Sequence, residues 1–184
     1  MKRILHWVVA LAFAAGTVLA GAQENQGDQR MQQRLYKEVR HELVMLPQLS
    51  IFDNLAYKID GSTVTLYGQV RNAVLKDEAQ DAVKHIEGVE KVNNQIEILP
   101  PSPNDDQIRR QVARAIFNDP RLFEYAIQSQ PPIHIIVKSG HVSLEGVVRD
   151  EGDRNVAGIR ANGVPGVFSV QNNLQVENPR QAKK

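Results

Sequence analysis

The chain of 184 residues contains no cysteine. That absence excludes disulfides, thiolate metal centres and acylation of a cysteine at an export cleavage point. Stability must come from burial alone. The chain also lacks an excess of charge of either sign, with 22 Lys and Arg against 21 Asp and Glu. A general polyanion binder would show a basic surplus, so nucleic acid is not an expected partner. Catalytic signatures are missing as well. His6, His41, His85, His134 and His141 show no H-E-x-x-H or other metal-ligand spacing. No serine sits in a nucleophile-elbow context, and no carboxylate pair lies in an apolar surround that would split its pKa values. The expectation is a protein that is not an enzyme, with no metal, no cofactor and no small-molecule substrate.

What the chain does have is a duplication. Val64-Thr65-Leu66-Tyr67-Gly68-Gln69-Val70-Arg71 returns 78 residues later as Val142-Ser143-Leu144-Glu145-Gly146-Val147-Val148-Arg149. The same offset carries Gly88-Val89 onto Gly166-Val167, Val92 onto Val170, Asn94 onto Asn172, Ile96 onto Leu174 and Ile98 onto Val176. A register held that long without insertion means one structural unit written twice.

Lys2 and Arg3 precede an apolar run from Ile4 to Ala20, and Ala20-Gly21-Ala22 has the small-x-small form of a secretory cleavage site. The expectation is a signal peptide over residues 1–22, cleaved after Ala22, and a periplasmic protein. The alternative is a retained anchor over residues 4–20, a run nearly long enough to span a bilayer. Cleavage leaves 20 basic against 21 acidic residues. Residues 23–28 are polar and read as flexible.

Met31, Leu35, Val39, Leu43 and Leu46 then form the stripe of an amphipathic helix, and Pro47 lies where a stop is expected. Leu55, Tyr57 and Ile59 alternate with polar residues, Asp60-Gly61-Ser62 supplies a turn, and Val64, Leu66 and Val70 alternate again. Gly68 falls on the apolar side of that second strand, where a missing side chain lets a helix approach or marks a bulge. A helix with Leu75, Ala79, Ala82, Val83 and Ile86 on one side ends at Gly88, and residues 92–98 form a third strand. The first unit therefore spans 29–99. Residues 100–104 (Pro-Pro-Ser-Pro-Asn) read as a stiff linker.

The pattern restarts over 105–177. Ile108, Val112, Ala115 and Ile116 repeat the first helix at an offset of 73, and Ile133, Ile135 and Val137 repeat the first strand at 78. Five extra residues therefore fall between Tyr125 and Pro132, in a loop containing Gln128-Ser129-Gln130. Residues 178–184 form a basic tail. The predicted fold is α+β: two tandem α-β-β-α-β sandwich domains after the signal peptide, each sheet face covered by helices.

A strand of form V-x-L-x-G-x-V, a polar helix, then G-V-x-x-V-x-N resembles the BON domain, a bacterial envelope module. Two copies behind a signal peptide resemble the osmotically inducible periplasmic proteins of that family. The resemblance implies a non-catalytic fold that attaches to phospholipid membranes or maintains the envelope under stress. It marks Gly68, Gly146, Gly88 and Gly166 as scaffold positions. One departure is that Gly152, Gly158 and Gly163 fall in the last helix of the second copy, each costing about 1 kcal/mol if interior.

Gly163-Val164-Pro165-Gly166 spells the G-x-x-G of an RNA-binding loop, but it precedes a strand and reads as a helix stop. His141 and Glu145, with Ser143 between them, share a strand face, which a solvated surface explains as well as a metal site does. Asn94 and Asn172 lie in phase with their strands' apolar residues and read as structural ties to a neighbouring loop. Two surfaces are candidates for binding. Arg30, Arg34, Lys37 and Arg40 on the first helix, and Arg109, Arg110 and Arg114 on its repeat, could meet anionic phospholipid. Glu38, Glu42, Asp105 and Asp106 dilute both clusters. Ile136, Val156 and Ile159 are apolar beyond the needs of one core face and read as an interface, in the modest version the one between the copies. The leading reading is an envelope protein contacting anionic phospholipid or an envelope protein. The alternative is a periplasmic protein–protein adaptor without lipid affinity.

Overall fold

A computed structural model describes residues 18–128 and 130–177. Helix α1 runs Val18–Val44, and strands β1, Asn54–Asp60, and β2, Thr63–Val70, form an antiparallel hairpin. Helix α2, Ala73–Lys84, crosses over, and β3, Lys91–Asn94, and β4, Glu97–Ile98, both pair parallel to β2. The second unit repeats this order. Helix α3 is Pro103–Phe117, with a short extra helix α4, Phe123–Ala126. Then follow β5, Ile133–Lys138; β6, His141–Val148; α5, Glu151–Asn162; β7, Ser169–Asn172; and β8, Gln175–Val176. Two mixed sheets, β1-β2-β3 with β4 and β5-β6-β7 with β8, give the expected α+β class.

Each sheet is covered on one face by its helices. Leu35, Val39 and Leu43 of α1 and Leu75, Ala79 and Val83 of α2 meet Ile59, Val64, Leu66, Val70 and Ile96. In the second unit Ile108, Val112 and Ile116 of α3 and Ala157 and Ala161 of α5 meet the equivalent strands. Met31, the first member of the predicted stripe, is exposed, so the core-facing part of α1 begins at Leu35.

Four expectations need correction. Residues 23–28 are helical; Gln23, Glu24 and Gln26 favour helix, and polarity does not separate a solvated helix from a loop. The linker is shorter than 100–104, because Pro103 opens α3 behind Ser102, whose hydroxyl accepts from the Asp105 N–H at 3.2 Å. Proline suits that first helical position. The third strand is broken after Asn94, and again after Asn172. The break shifts the phase, so Ile96 and Leu99 are buried while Ile98 faces out. Finally, the three glycines do not shorten α5, which equals α2 in length. Gly152 lies in its first turn and Gly163 caps its end; only Gly158 is interior, where a Cβ would come within 2.8 Å of Asn172 Nδ2.

Residues 1–17 of the expected export segment, Ser129 and the tail 178–184 lie outside the described residues. No described helix is long and apolar enough to cross a membrane.

Candidate binding surfaces

Gly68 and Gly146 do the same job in the two sheets. Both hold positive φ, +116° and +119°, which L side chains rarely adopt. A Cβ at Gly68 would overlap the Asn54 carbonyl oxygen, and one at Gly146 the Pro132 carbonyl oxygen. The close approach is therefore by the backbone of the neighbouring strand, not by a helix. These positions, like Gly88 and Gly166 at positive φ, build the scaffold.

The two asparagines are equally matched. Asn94 donates from Nδ2 to the Lys76 carbonyl at 2.9 Å, and Asn172 to the Arg154 carbonyl at 2.7 Å. Each side-chain oxygen accepts the N–H two residues on, Ile96 at 3.2 Å and Leu174 at 3.3 Å. The partner is thus the body of the crossing helix and the strand's own break, where the sequence suggested a loop.

The basic residues divide. Arg109 is buried at 3% exposure, donating from Nη2 to the Val137 carbonyl at 2.5 Å and from Nη1 to Asp106 at 2.6 Å. It is unavailable to lipid, which corrects its assignment to a binding face. Arg34 is neutralised by Glu38 at 3.0 Å and Glu87 at 2.6 Å, and these carboxylates raise its pKa, the Glu87 hydrogen bond most. Arg30, Lys37, Arg40, Arg110 and Arg114 remain exposed. Arg114 lines a shallow depression with Gln111, Ile159 and Pro165, and Gln111 and Pro165 line the adjoining one with Phe168. Ile159 is 70% and Phe168 78% exposed. Phe168 carried no signal as an isolated aromatic in a strand-like sequence.

The three proposed interface residues also separate. Ile136 is buried yet belongs to neither core; it shares a hollow with Gln69 and Leu99 of the first unit. Val156 is half-buried and packs against its own core. Only Ile159 stays open.

The copies are joined at several points. Phe52 of the first unit packs against the core of the second, with the Arg71 guanidinium 5.7 Å from its ring centroid. The Ile135 N–H donates to the Ile51 carbonyl at 2.7 Å, and Gln130 Nε2 to the Val44 carbonyl at 2.7 Å. Arg71 meets Asp106 at 3.2 Å and Lys138 meets Glu97 at 2.5 Å. His134 lies in this junction, and burial pushes its pKa below the ordinary histidine value, against the pull of Ser50 and Asp53.

Buried carboxylates were the main omission. Asp105, read as diluting a basic face, is 3% exposed and accepts from the Ser139 and Gly140 N–H groups, both at 2.9 Å, fixing the β5–β6 turn. Asp153 is fully buried; it accepts from Arg121 Nε and the Tyr125 hydroxyl, each at 2.5 Å. At the repeat offset Asp153 stands where the first copy has the buried Leu75. Comparing the copies at that position would have revealed it.

His141 Nδ1 lies 2.7 Å from Ser169 Oγ, and Glu145 accepts from Asn173 at 2.6 Å. The two do not converge, and no group of three His, Asp or Glu side chains able to hold a metal occurs among the described residues.

The fold and its surfaces define a tandem α+β scaffold whose two like units are joined into one body. A model of the BON domain matches residues 33–100 and 104–178. The chain belongs to the BON-domain family, with two copies in tandem, and such domains occur in periplasmic and envelope proteins. Among solved structures it is similar to two forms of CdsD, a structural protein of the type III secretion system of Chlamydia trachomatis. The C-terminal domain of CdsD is 12% identical with a TM-score of 0.32, covering 78% of this chain and 98% of that one. The other is 14% identical with a TM-score of 0.30, covering 81% and 95%. No curated protein matches the chain.

Proposed function

We propose that this protein is a non-catalytic periplasmic component that holds to anionic phospholipid surfaces through the α3–α5 face of its second unit. The observation that carries the reading is the pairing of exposed cations with exposed apolar side chains. Arg114 and Ile159 line one depression and Phe168 the adjoining one, with the exposed Arg110 one turn from Arg114 on α3. Anionic headgroups attract basic residues at about 1 kcal/mol each near the surface, and interfacial helices add apolar burial to that attraction. The α1 cluster is a poorer candidate, because Glu38 and Glu87 neutralise Arg34. The basic–apolar–small N-terminal sequence supports export.

Flotation with vesicles containing or lacking anionic phospholipid tests this. Binding should require the anionic lipid, weaken with salt, and be lost in Arg110→Glu/Arg114→Glu. Absence of binding at every lipid composition, or binding that survives the double substitution, contradicts it.

A further inference from the structure

The two copies treat the free edge of their sheets differently. β1 pairs only with β2, and β5 only with β6. Their registers are identical: Tyr57 lies opposite Leu66, and Ile135, 78 residues on, opposite Leu144. In this register Ile135 and Val137 turn their backbone groups away from β6, and one outward group of each is paired. The Ile135 N–H donates to Ile51, and the Val137 carbonyl accepts from Arg109.

The matched register turns the Tyr57 N–H and the Ile59 carbonyl outward from β1. Tyr36 stands at the position of Arg109, and instead of reaching that edge its own carbonyl accepts from the Tyr57 phenol at 2.9 Å. Helix α3 packs along β5, whereas α1 rests chiefly on α2. Among the described residues, no group pairs with the outward Tyr57 N–H or the Ile59 carbonyl; the Tyr67 hydroxyl lies 3.5 Å from the Tyr57 carbonyl, and β5 comes near β1 without pairing with it. Unpaired edges are usually blunted because they template pairing with another chain.

Beside the open edge lies a cleft of about 810 Å³ between the units, lined by Leu49, Leu55, Tyr57 and Val147 with Arg40 and His134. That volume lies within the range of ligand sites. Arg40 is exposed and makes no ion pair among the described residues. His134 Nδ1 is buried without a hydrogen-bond partner.

We propose that β1 accepts an extended peptide segment of another protein as an added strand. Its apolar side chains would fill the cleft and an acidic residue would meet Arg40. Strand addition draws affinity from main-chain hydrogen bonds and specificity from pockets for alternate side chains. The second copy shows that this edge position takes a backbone partner, since Ile51 supplies one there. The proposal does not draw on membrane contact and is measured without lipid.

The test uses the whole protein and a short peptide of alternating valine and threonine with two glutamates at one end. Fluorescence anisotropy gives affinity, and amide hydrogen exchange reports on Tyr57 and Ile59. Saturable binding with protection of Tyr57 is expected. Tyr57→Ala, which loses the phenol and its bond to the Tyr36 carbonyl but keeps the outward donor, is the reference; relative to it Tyr57→Pro removes only that donor, because proline is tolerated at edge positions. It should weaken binding about fivefold to tenfold, the worth of one main-chain bond. The same peptide methylated on alternate backbone nitrogens should lose binding to the unaltered protein, whether or not the proline variant folds. Arg40→Glu should reverse any preference for the acidic peptide over one ending in two lysines. Equal binding of the methylated peptide, or no saturable binding, overturns the proposal. So does Tyr57 protection that rises with protein concentration alone, which would assign the edge to a second copy.

Discussion

Arg109 reaches the sheet edge of its own unit and donates to the Val137 carbonyl at 2.5 Å. Its removal leaves a buried acceptor without a partner, and hydrogen bonds to charged groups contribute about 1.5–3 kcal/mol. Arg109→Ala should therefore lower unfolding stability in urea by about that much. Arg110→Ala and Arg114→Ala, one and five positions on and both exposed, should stay within about 0.5 kcal/mol of the parent. Equal losses at all three positions would remove the distinction between a structural and a free arginine.

Gly68→Ala and Gly146→Ala should each destabilise by more than about 1–3 kcal/mol, the usual cost of a backbone held in such a region. Overlap with the Asn54 or Pro132 carbonyl adds to the strain. Gly88→Ala meets no atom within 4 Å, so only strain from its positive φ remains and its loss should be smaller. Chemical denaturation of the three variants checks the order.

Asp153 holds the inserted helix α4 through Tyr125, and burial keeps that phenol's pKa above its usual value. Asp153→Ala removes the acceptor of both the Tyr125 hydroxyl and Arg121 Nε, leaving that hydroxyl only the Arg149 N–H, and should cost about 3–5 kcal/mol, as for a broken buried pair. Asp153→Leu combined with Tyr125→Phe supplies the apolar side chains of the first copy, though not the acceptor that Asp53 gives the Arg71 N–H there, and should recover part of that loss. A double variant no better than Asp153→Ala would contradict this.

His134 is held neutral by burial in the junction, with Asp53 and Glu145 pulling the other way. Its folded pKa lies below the unfolded value, so the unfolded chain takes up the proton first. Its contribution is complete above about pH 6.5 and is lost as pH falls toward the folded pKa. Acidification should therefore cost the parent more stability than His134→Gln. Parallel urea curves at neutral and mildly acidic pH read the difference, and identical pH slopes would count against a buried neutral ring.

The duplication was legible because it rests on local repetition. Leu66 and Leu144, Asn94 and Asn172, and Gly68 and Gly146 each announce the same task twice. Polarity was a weaker guide. It made residues 23–28 look loose and Asp105 look solvated, although one segment is helical and the other residue is buried. It also grouped Arg109, which is buried, with Arg110, which is exposed. The contact between copies depends on Phe52 and Ile136 meeting elements far along the chain, and periodicity within one helix or strand carries no such information.

The membrane reading is tested most directly by NMR with vesicles of anionic phospholipid carrying a spin-labelled headgroup. The account predicts broadening of the amides of Arg110, Arg114, Ile159 and Phe168, reduced by salt, with Arg30 and Lys37 on α1 unaffected. Broadening confined to α1, or none at any residue, would contradict it.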